Sequence, residues 1–407
     1  MTQLIDSTTA AALLGVSRQT LYSYVSRGLL RAQVASDGRG KRYRRDEVER
    51  LLRHAVQTRK PRAAAGATLD FGLPVLASAL TLIAEGQLWY RGQNAIQLAA
   101  TASLEEVAAL LWQCEASVFV GPMAVPAAAN PVVPASLAPL ERALAVFPAL
   151  ALQVSSLPVN ADSAAQYARC VFLLWAMAAA LLGCALSAGP IHQQCAQVWG
   201  LDADGAQLVR QALVLCADHE LNASSFTARC VASTGAQMHA ALLGGLAALS
   251  GPRHGMASER VEGWLDTLSS ATTIAELRQA LAEQKSVPGF GHRLYPFGDP
   301  RARCILAALP VEPMLMRLCE QVEKQFGEYP NLDFALVVLR RSLGLPRHSA
   351  SILFALGRTV GWLAHALEQR AQHKLIRPRA HYVGEPIPVA SEGRPAGRIV
   401  RMGRDAD

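Results

Sequence analysis

Charged residues are scarce in this chain. Asp, Glu, Lys and Arg make up 17% of its 407 residues, while 51% are apolar. That excludes a disordered polyelectrolyte and fits a large, well-buried globular protein, long enough for two or three domains. The eight cysteines are scattered from Cys114 to Cys319 with no CxxC pair or zinc-ligand set. They read as buried thiols in a reducing compartment. A glycine-rich loop of the GxGxxG or P-loop kind is missing, as is any internal repeat, which sets aside the nucleotide folds and solenoids built on them. The opening MTQLIDSTTA has no basic stretch followed by an apolar core, so no secretory signal is expected and the expected location is cytoplasmic. One run, residues 171–188, has 18 residues without a charge. Its alanines, Gly183 and its lack of flanking Lys, Trp and Tyr anchors favour a helix buried in a core or subunit interface over a membrane span.

What charge there is sits unevenly. Residues 1–62 hold 13 Lys+Arg against 5 Asp+Glu, a net +8, and the remainder holds 26 against 27, a net −1. The pattern suggests an anionic polymer partner for an N-terminal module ahead of a neutral body. In TTAAALLGVSRQTLYSYVSRGLL, Ser7 or Thr8 is expected to cap a first helix, Gly15 to break it, and Ser17 to cap a second. Two extended runs follow around the hairpin turn Asp37-Gly38-Arg39-Gly40, and Asp46 opens a closing helix. This stretch resembles the MerR-like and excisionase-like winged helix-turn-helix modules. The resemblance implies a duplex DNA partner, with Arg18, Gln19, Thr20 and Tyr22 facing the DNA and Arg39, Lys41, Arg42 and Arg44 along phosphates. The alternative is a solvated basic face on a docking module.

Residues 55–67 lack apolar periodicity and read as a linker. The second unit begins with a short extended start, and Ser103 with Glu106 forms a capping box that opens an amphipathic helix. Five prolines in residues 121–139 mark a loop. From Ala164 onward nearly every segment has helical periodicity. Chemistry concentrates where His, Arg and Asp stand beside Gly or Pro at helix ends: DHELNASSFTARCVAS from Asp218, GPRHGMASE from Gly251, VPGFGHRLYPFGDPRAR from Val287, NLDF from Asn331, FALGRTVGWLAH around Arg358 and IRPRAHYVG from Ile376. Three histidines, several arginines and one aspartate suggest an acid/base site for a small polyanion. His219, His254 and His292 lie too far apart in sequence, without HExxH or HxH neighbours, to suggest a metal, and none is expected.

The first four of these clusters, in this order, with the earlier GQLWYRGQ and SLEEVAALLW, resemble the citrate synthase family over about residues 70–385. The resemblance implies a mainly helical body of a large domain (68–254 and 361–407) and a small domain (255–360), preceded by the winged module (1–54). It implies a transferase of the tricarboxylic acid cycle that condenses acetyl-CoA with oxaloacetate, with no tightly bound cofactor. His254 then stabilises the enol or enolate, Asp333 removes the α-proton, and His292 polarises the ketone. His219, Arg301, Arg358 and Arg377 hold oxaloacetate, Arg377 from the neighbouring subunit of a homodimer. The residue types suit the work: a carboxylate base needs a donor at the developing oxyanion, and arginine forks hold a dicarboxylate.

The chain also departs from the family pattern. Pro296 stands where many relatives carry a basic residue that meets CoA phosphates, so the expected CoA contacts are Lys285, Pro288, Gly289, Gly291 and Arg293. Ala335 and Leu336 replace the small and aromatic residues often found there. Two alternatives stay open: a 2-methylcitrate synthase using propionyl-CoA, since one methylene is worth only about 1–3 kcal/mol, and a DNA-binding regulator whose body senses citrate or acyl-CoA.

Overall fold

The computed structural model describes residues 4–14, 16–26, 30, 32–34, 41–45, 48, 76–120, 134, 136–153, 163–269, 272–282, 284, 286–380 and 384–385. The chain forms two compact units, Met1–Ala79 and Leu80–Asp407.

In the first unit β1 (Leu4–Asp6) leads into α1 (Ser7–Leu14) and α2 (Arg18–Ser26), followed by β2 (Ala32–Val34) and β3 (Lys41–Arg44). The sheet is antiparallel in the order β1-β3-β2, with Ile5 and Ala32 both opposite Tyr43. Ile5, Ala10, Ala11, Leu14, Leu21, Leu30, Tyr43 and Val48 form its core. Ser17 caps α2, its Oγ accepting from the Thr20 N–H at 3.2 Å. The cap of α1 differs from expectation. Asp6 Oδ1 takes the N–H groups of Thr8 at 2.9 Å and Thr9 at 2.8 Å, and Ser7 is the first helical residue. A carboxylate at that position satisfies two orphan donors and also meets the positive end of the helix dipole. Strand β1 was not foreseen, because three residues are too few to show alternation. The expected hairpin tip, Asp37 to Gly40, and most of the closing helix from Asp46 lie outside the described residues.

The second unit opens with a small antiparallel meander, β4 (Thr81–Ala84), β5 (Gln87–Tyr90) and β6 (Gln93–Asn94), the extended start read from the sequence. Helices follow: α3 (Ala95–Thr101), α4 (Leu104–Trp112), α5 (Pro139–Leu152), α6 (Ser163–Leu182), α7 (Ile191–Trp199), α8 (Ala203–Cys216), α9 (Ala223–Ser233) and α10 (Met238–Leu249). After them come α11 (Ala257–Leu265), α12 (Ile274–Ala282), α13 (Pro300–Ala307), α14 (Pro313–Phe326), α15 (Leu332–Ser342) and α16 (Ser349–Ala371). The Ser103–Glu106 capping box is present at α4. The uncharged run is interior: Cys170 to Leu181, on α6, are each at most 2% exposed. Residues 121–133 of the proline-rich stretch lie outside the described residues.

Helix α16 is the spine of the body, buried along nearly its whole length. It approaches the end of α8 so closely that a methyl group on Gly357 would stand 2.6 Å from Leu213 O and from Cys216 Cβ. Any larger residue there would push the helices apart. That contact sets Arg358, the next residue, beside the turn that follows α8.

Candidate functional site

The turn after α8 carries Asp218 and His219, both buried. Tyr90, at the end of β5, fixes it: its hydroxyl donates to Val214 O at 3.1 Å and Asp218 O at 3.2 Å. Asp218 is tied further by a hydrogen bond from Thr81 Oγ1. His365 on α16 places Nε2 3.2 Å from Asp218 Oδ1. Arg229, wholly buried, reaches His365 Nδ1 at 3.1 Å and pairs with Glu368 at 2.5 Å. Burial alone would raise the Asp218 pKa, but His365, Arg358 and the Thr81 hydroxyl outweigh it and the carboxyl lies below its ordinary value. His365, read from the sequence as a core histidine, belongs to this scaffold.

Arg358 donates through Nε to Cys216 O at 2.9 Å, and its guanidinium lies 4.8 Å from the Phe354 ring centroid. Its Nη2 is buried without a hydrogen-bond partner. An unspent guanidinium nitrogen in a buried place costs free energy unless an anion comes to meet it. Arg301, at the first turn of α13, forks onto Asp299, Nε to Oδ1 at 3.0 Å and Nη2 to Oδ2 at 2.8 Å. Asp299 is the N-cap of α13 and also accepts the Leu332 N–H at 3.2 Å. It therefore ties the DPR motif to the start of α15.

Asp333 sits in the first turn of α15, whose N-cap Asn331 accepts from the Asp333 N–H at 3.1 Å. Burial pushes its pKa up to about 6, against the opposing charges of Arg301, Arg260 and Arg358. The VPGFGH loop is stitched alongside: the Asn331 N–H donates to Gly289 O at 2.9 Å and Asn331 Nδ2 to Gly291 O at 3.2 Å. Gly289 has φ +84, and a Cβ there would stand 2.9 Å from Phe334 Cβ and from Val261 Cγ2. Only glycine meets both demands. Gly289 and Gly291, expected as CoA contacts, thus have a packing role that brings His292 next to the start of α15.

His292 accepts the Leu294 N–H on Nδ1 at 3.1 Å. A neutral imidazole that accepts at Nδ1 carries its proton on Nε2. Its ring lies 5.2 Å from that of His219. His254 places Nε2 2.8 Å from Ser224 Oγ, which is also 2.8 Å from Asn222 Oδ1. The His254 ring meets Phe354 edge-on at 6.2 Å. Burial depresses the pKa of both His254 and His292 to about 4, helped by Arg358 for the first and Arg301 for the second. His219 is pushed well down by burial, Arg301, His292 and Arg358. All three are neutral at pH 7.

The structure therefore brings together His219, His254, His292, Arg301, Asp333 and Arg358, through direct contacts and through the shared fields of Arg301 and Arg358. Arg377 is not among them. It is exposed, next to Ile376, whose N–H is held by Ser233 Oγ at 3.1 Å. Of the expected CoA contacts, Lys285 lies outside the described residues, Pro288 is partly buried and Arg293 is exposed. Among the described residues no group of three or more His, Cys, Asp and Glu could hold a metal ion. The sequence reading missed Ser224, Tyr295 and Asp299. Ser224 follows the DHELNA run directly and Asp299 stands two residues before Arg301, so spacing could have flagged both.

In the N-terminal unit Arg18 is exposed and bonded to Thr8 Oγ1, and Thr20 Oγ1 shares the Ser17 cap at 2.9 Å. Gln19 is exposed, and Tyr22 is 45% exposed with Lys41 Nζ 5.4 Å from its ring centroid. Arg42 and Arg44 alternate with buried Tyr43 and share the opposite face of β3. Arg39 lies outside the described residues.

Residues 69–379 match the family profile described as citrate synthase, C-terminal domain, and residues 4–55 match a helix-turn-helix domain. The chain is 38% identical over 185 residues to citrate synthase 2 of Bacillus subtilis, covering 43% of this chain and 50% of that protein. It thus spans about half the length of the curated relatives it matches. The crystal structure of citrate synthase from Thermotoga maritima superposes with a TM-score of 0.62 at 26% identity, over 79% of this chain and 98% of that one. Citrate synthase from Thermoplasma acidophilum, solved in a ternary complex with carboxymethyl coenzyme A and oxaloacetate, shares the fold at a TM-score of 0.63 and 24% identity, over 78% of this chain and 97% of that one. With the family profile matched from residue 69 to 379, the fold shared and the ordered motifs gathered in one cluster, this chain belongs to the citrate synthase family.

Proposed function

We propose that this protein condenses acetyl-CoA with oxaloacetate and water to give citrate and CoA. The observation that carries the reading is the pairing of Asp333, with its pKa near 6, with neutral His254 and His292 around two buried arginines. A carboxylate poised near neutrality is a better base toward a weak carbon acid than an ordinary aspartate. Asp333 takes a proton from the thioester α-carbon while His254 donates to the thioester oxygen. Ser224 donates its one proton to Asn222 Oδ1, so for His254 to present its proton on Nδ1 to that oxygen the Ser224 hydroxyl must turn from Asn222 to His254 Nε2, both 2.8 Å away. The enol carbon attacks the oxaloacetate ketone, whose oxygen takes the proton on His292 Nε2. Water then cleaves the thioester, CoA leaves as the thiol, and solvent exchange restores Asp333 and His292.

Arg301, Arg358 and His219 hold the two carboxylates, and Arg377 completes the clamp in the neighbouring subunit of a homodimer. The small domain, 255–360, closes on the large one and keeps water from the enolate until the carbon bond has formed. Lys285, Pro288, Gly289, Gly291 and Arg293 remain the proposed contacts of CoA. A regulator that only senses citrate would have no use for Asp333 as a base, and acetyl-CoA is favoured over propionyl-CoA by the names of the matched relatives alone. The N-terminal unit binds duplex DNA through α2 and β3, and its charge supports this second, separate role. The test is release of CoA thiol by the full chain with oxaloacetate and either acetyl-CoA or propionyl-CoA. Oxaloacetate-dependent release with acetyl-CoA in preference supports the reading, and preference for propionyl-CoA moves it to 2-methylcitrate.

A further inference from the structure

Tyr295 stands outside the motif residues assigned a role, yet it touches three of them. The turn after His292, closed by the Tyr295 N–H on His292 O at 3.0 Å, folds its ring back on that imidazole, centroids 4.9 Å apart. The Arg301 guanidinium lies 5.5 Å from the ring centroid. The hydroxyl reaches His219 Nε2 at 3.1 Å, and the residue is 2% exposed. Burial raises the phenol pKa above its ordinary value, so it keeps its proton. Among the described residues His219 Nε2 is its one hydrogen-bond partner. With the His219 proton on Nδ1, the phenol spends its own on a neutral nitrogen, in a pocket where Arg358 Nη2 has no hydrogen-bond partner. An ionised oxygen is the stronger acceptor, and hydrogen bonds to it are about twice as strong.

We propose that Tyr295 is a substrate-binding residue of the keto-acid subsite, its hydroxyl passing from His219 Nε2 to a carboxylate of the dicarboxylate held by Arg301 and Arg358. The inference rests on the oxaloacetate reading above. It makes Tyr295 a determinant of keto-acid affinity and leaves the acyl-CoA side untouched. The move also frees His219 Nε2 as the ligand arrives.

The test is Tyr295→Phe in the full chain, which keeps the ring against His292 and Arg301 and removes only the hydroxyl. Calorimetric titration with oxaloacetate is expected to show Kd raised about tenfold to a hundredfold, the scale of a hydrogen bond to an ionised group. KM for the acyl-CoA should stay within about twofold, the split expected when only the keto-acid subsite loses a contact. Equal Kd values for the two proteins would overturn the proposal, since phenylalanine preserves the packing. So would a hydroxyl effect that vanishes in a His219→Asn background, because Tyr295 would then act only through His219. A wild-type protein that gives no heat with oxaloacetate overturns the parent reading instead, and this inference with it.

Discussion

Replacing Asp333 with Asn should move activity and stability in opposite directions. In the wild type the Asp333 carboxyl is protonated below pH 4 in both folded and unfolded chains, and burial then costs it nothing as an ion. Between pH 4 and 6 the unfolded chain has released the proton, whose ordinary pKa is 3.8, while the folded protein still holds it, with a pKa near 6. The raised folded pKa therefore contributes stability that is full below the unfolded pKa and lost as pH rises through the folded one. At about 1.4 kcal/mol per pH unit, the interval from 3.8 to about 6 amounts to about 3 kcal/mol. Asparagine does not titrate and keeps that stability at every pH. Asp333→Asn should accordingly be about 3 kcal/mol more stable relative to wild type at pH 7 than at pH 3.5, while turnover falls by at least about a thousandfold. Urea unfolding followed by circular dichroism at the two pH values measures the difference. A stability difference that is the same at both pH values would refute the reasoning.

Other outcomes follow from the same geometry. The acid limb of kcat/KM should bend near pH 6, where Asp333 takes up its proton, because His254 and His292 stay neutral down to about pH 4; activity undiminished at pH 5 would contradict this. Gly289→Ala should cost about 2–4 kcal/mol in unfolding free energy, from the left-handed backbone and the crowding against Phe334 and Val261, and should reduce turnover by displacing His292. Arg42→Ala with Arg44→Ala should weaken binding to all duplex sequences alike and flatten the salt dependence by about two counterions, read by anisotropy titration. Mixed subunits of an Arg377→Ala protein and a His254→Ala protein should regain activity that neither has alone, if the arginine acts across the dimer.

Much of this site was legible because its residues are mounted on signals that local chemistry imposes. The PGFG run before His292 must be glycine-rich for a left-handed turn against Phe334, and the glycines around Arg358 must be small where α16 meets α8. Asn331 and Asp299 are N-caps, so the base Asp333 and the arginine Arg301, each two residues on, start helices in register with a recognisable pattern. What stayed hidden depends on contacts distant in sequence. Tyr295 reaches His219 across 76 residues and Arg229 reaches His365 across 136, and no periodicity encodes either pairing. Asp6 was passed over as the cap of α1 because three candidate caps stand in a row, and the choice among them depends on where β1 ends.

The central claim is that a new carbon bond forms between the acyl α-carbon and the keto acid. The most direct test supplies the full chain with oxaloacetate and acetyl-CoA carrying carbon-13 in the methyl group, and follows the label by NMR. The label should appear in a methylene of citrate, only when oxaloacetate is present, and not with Asp333→Asn. Label recovered solely as acetate, or left in acetyl-CoA by the wild-type protein, would contradict the account.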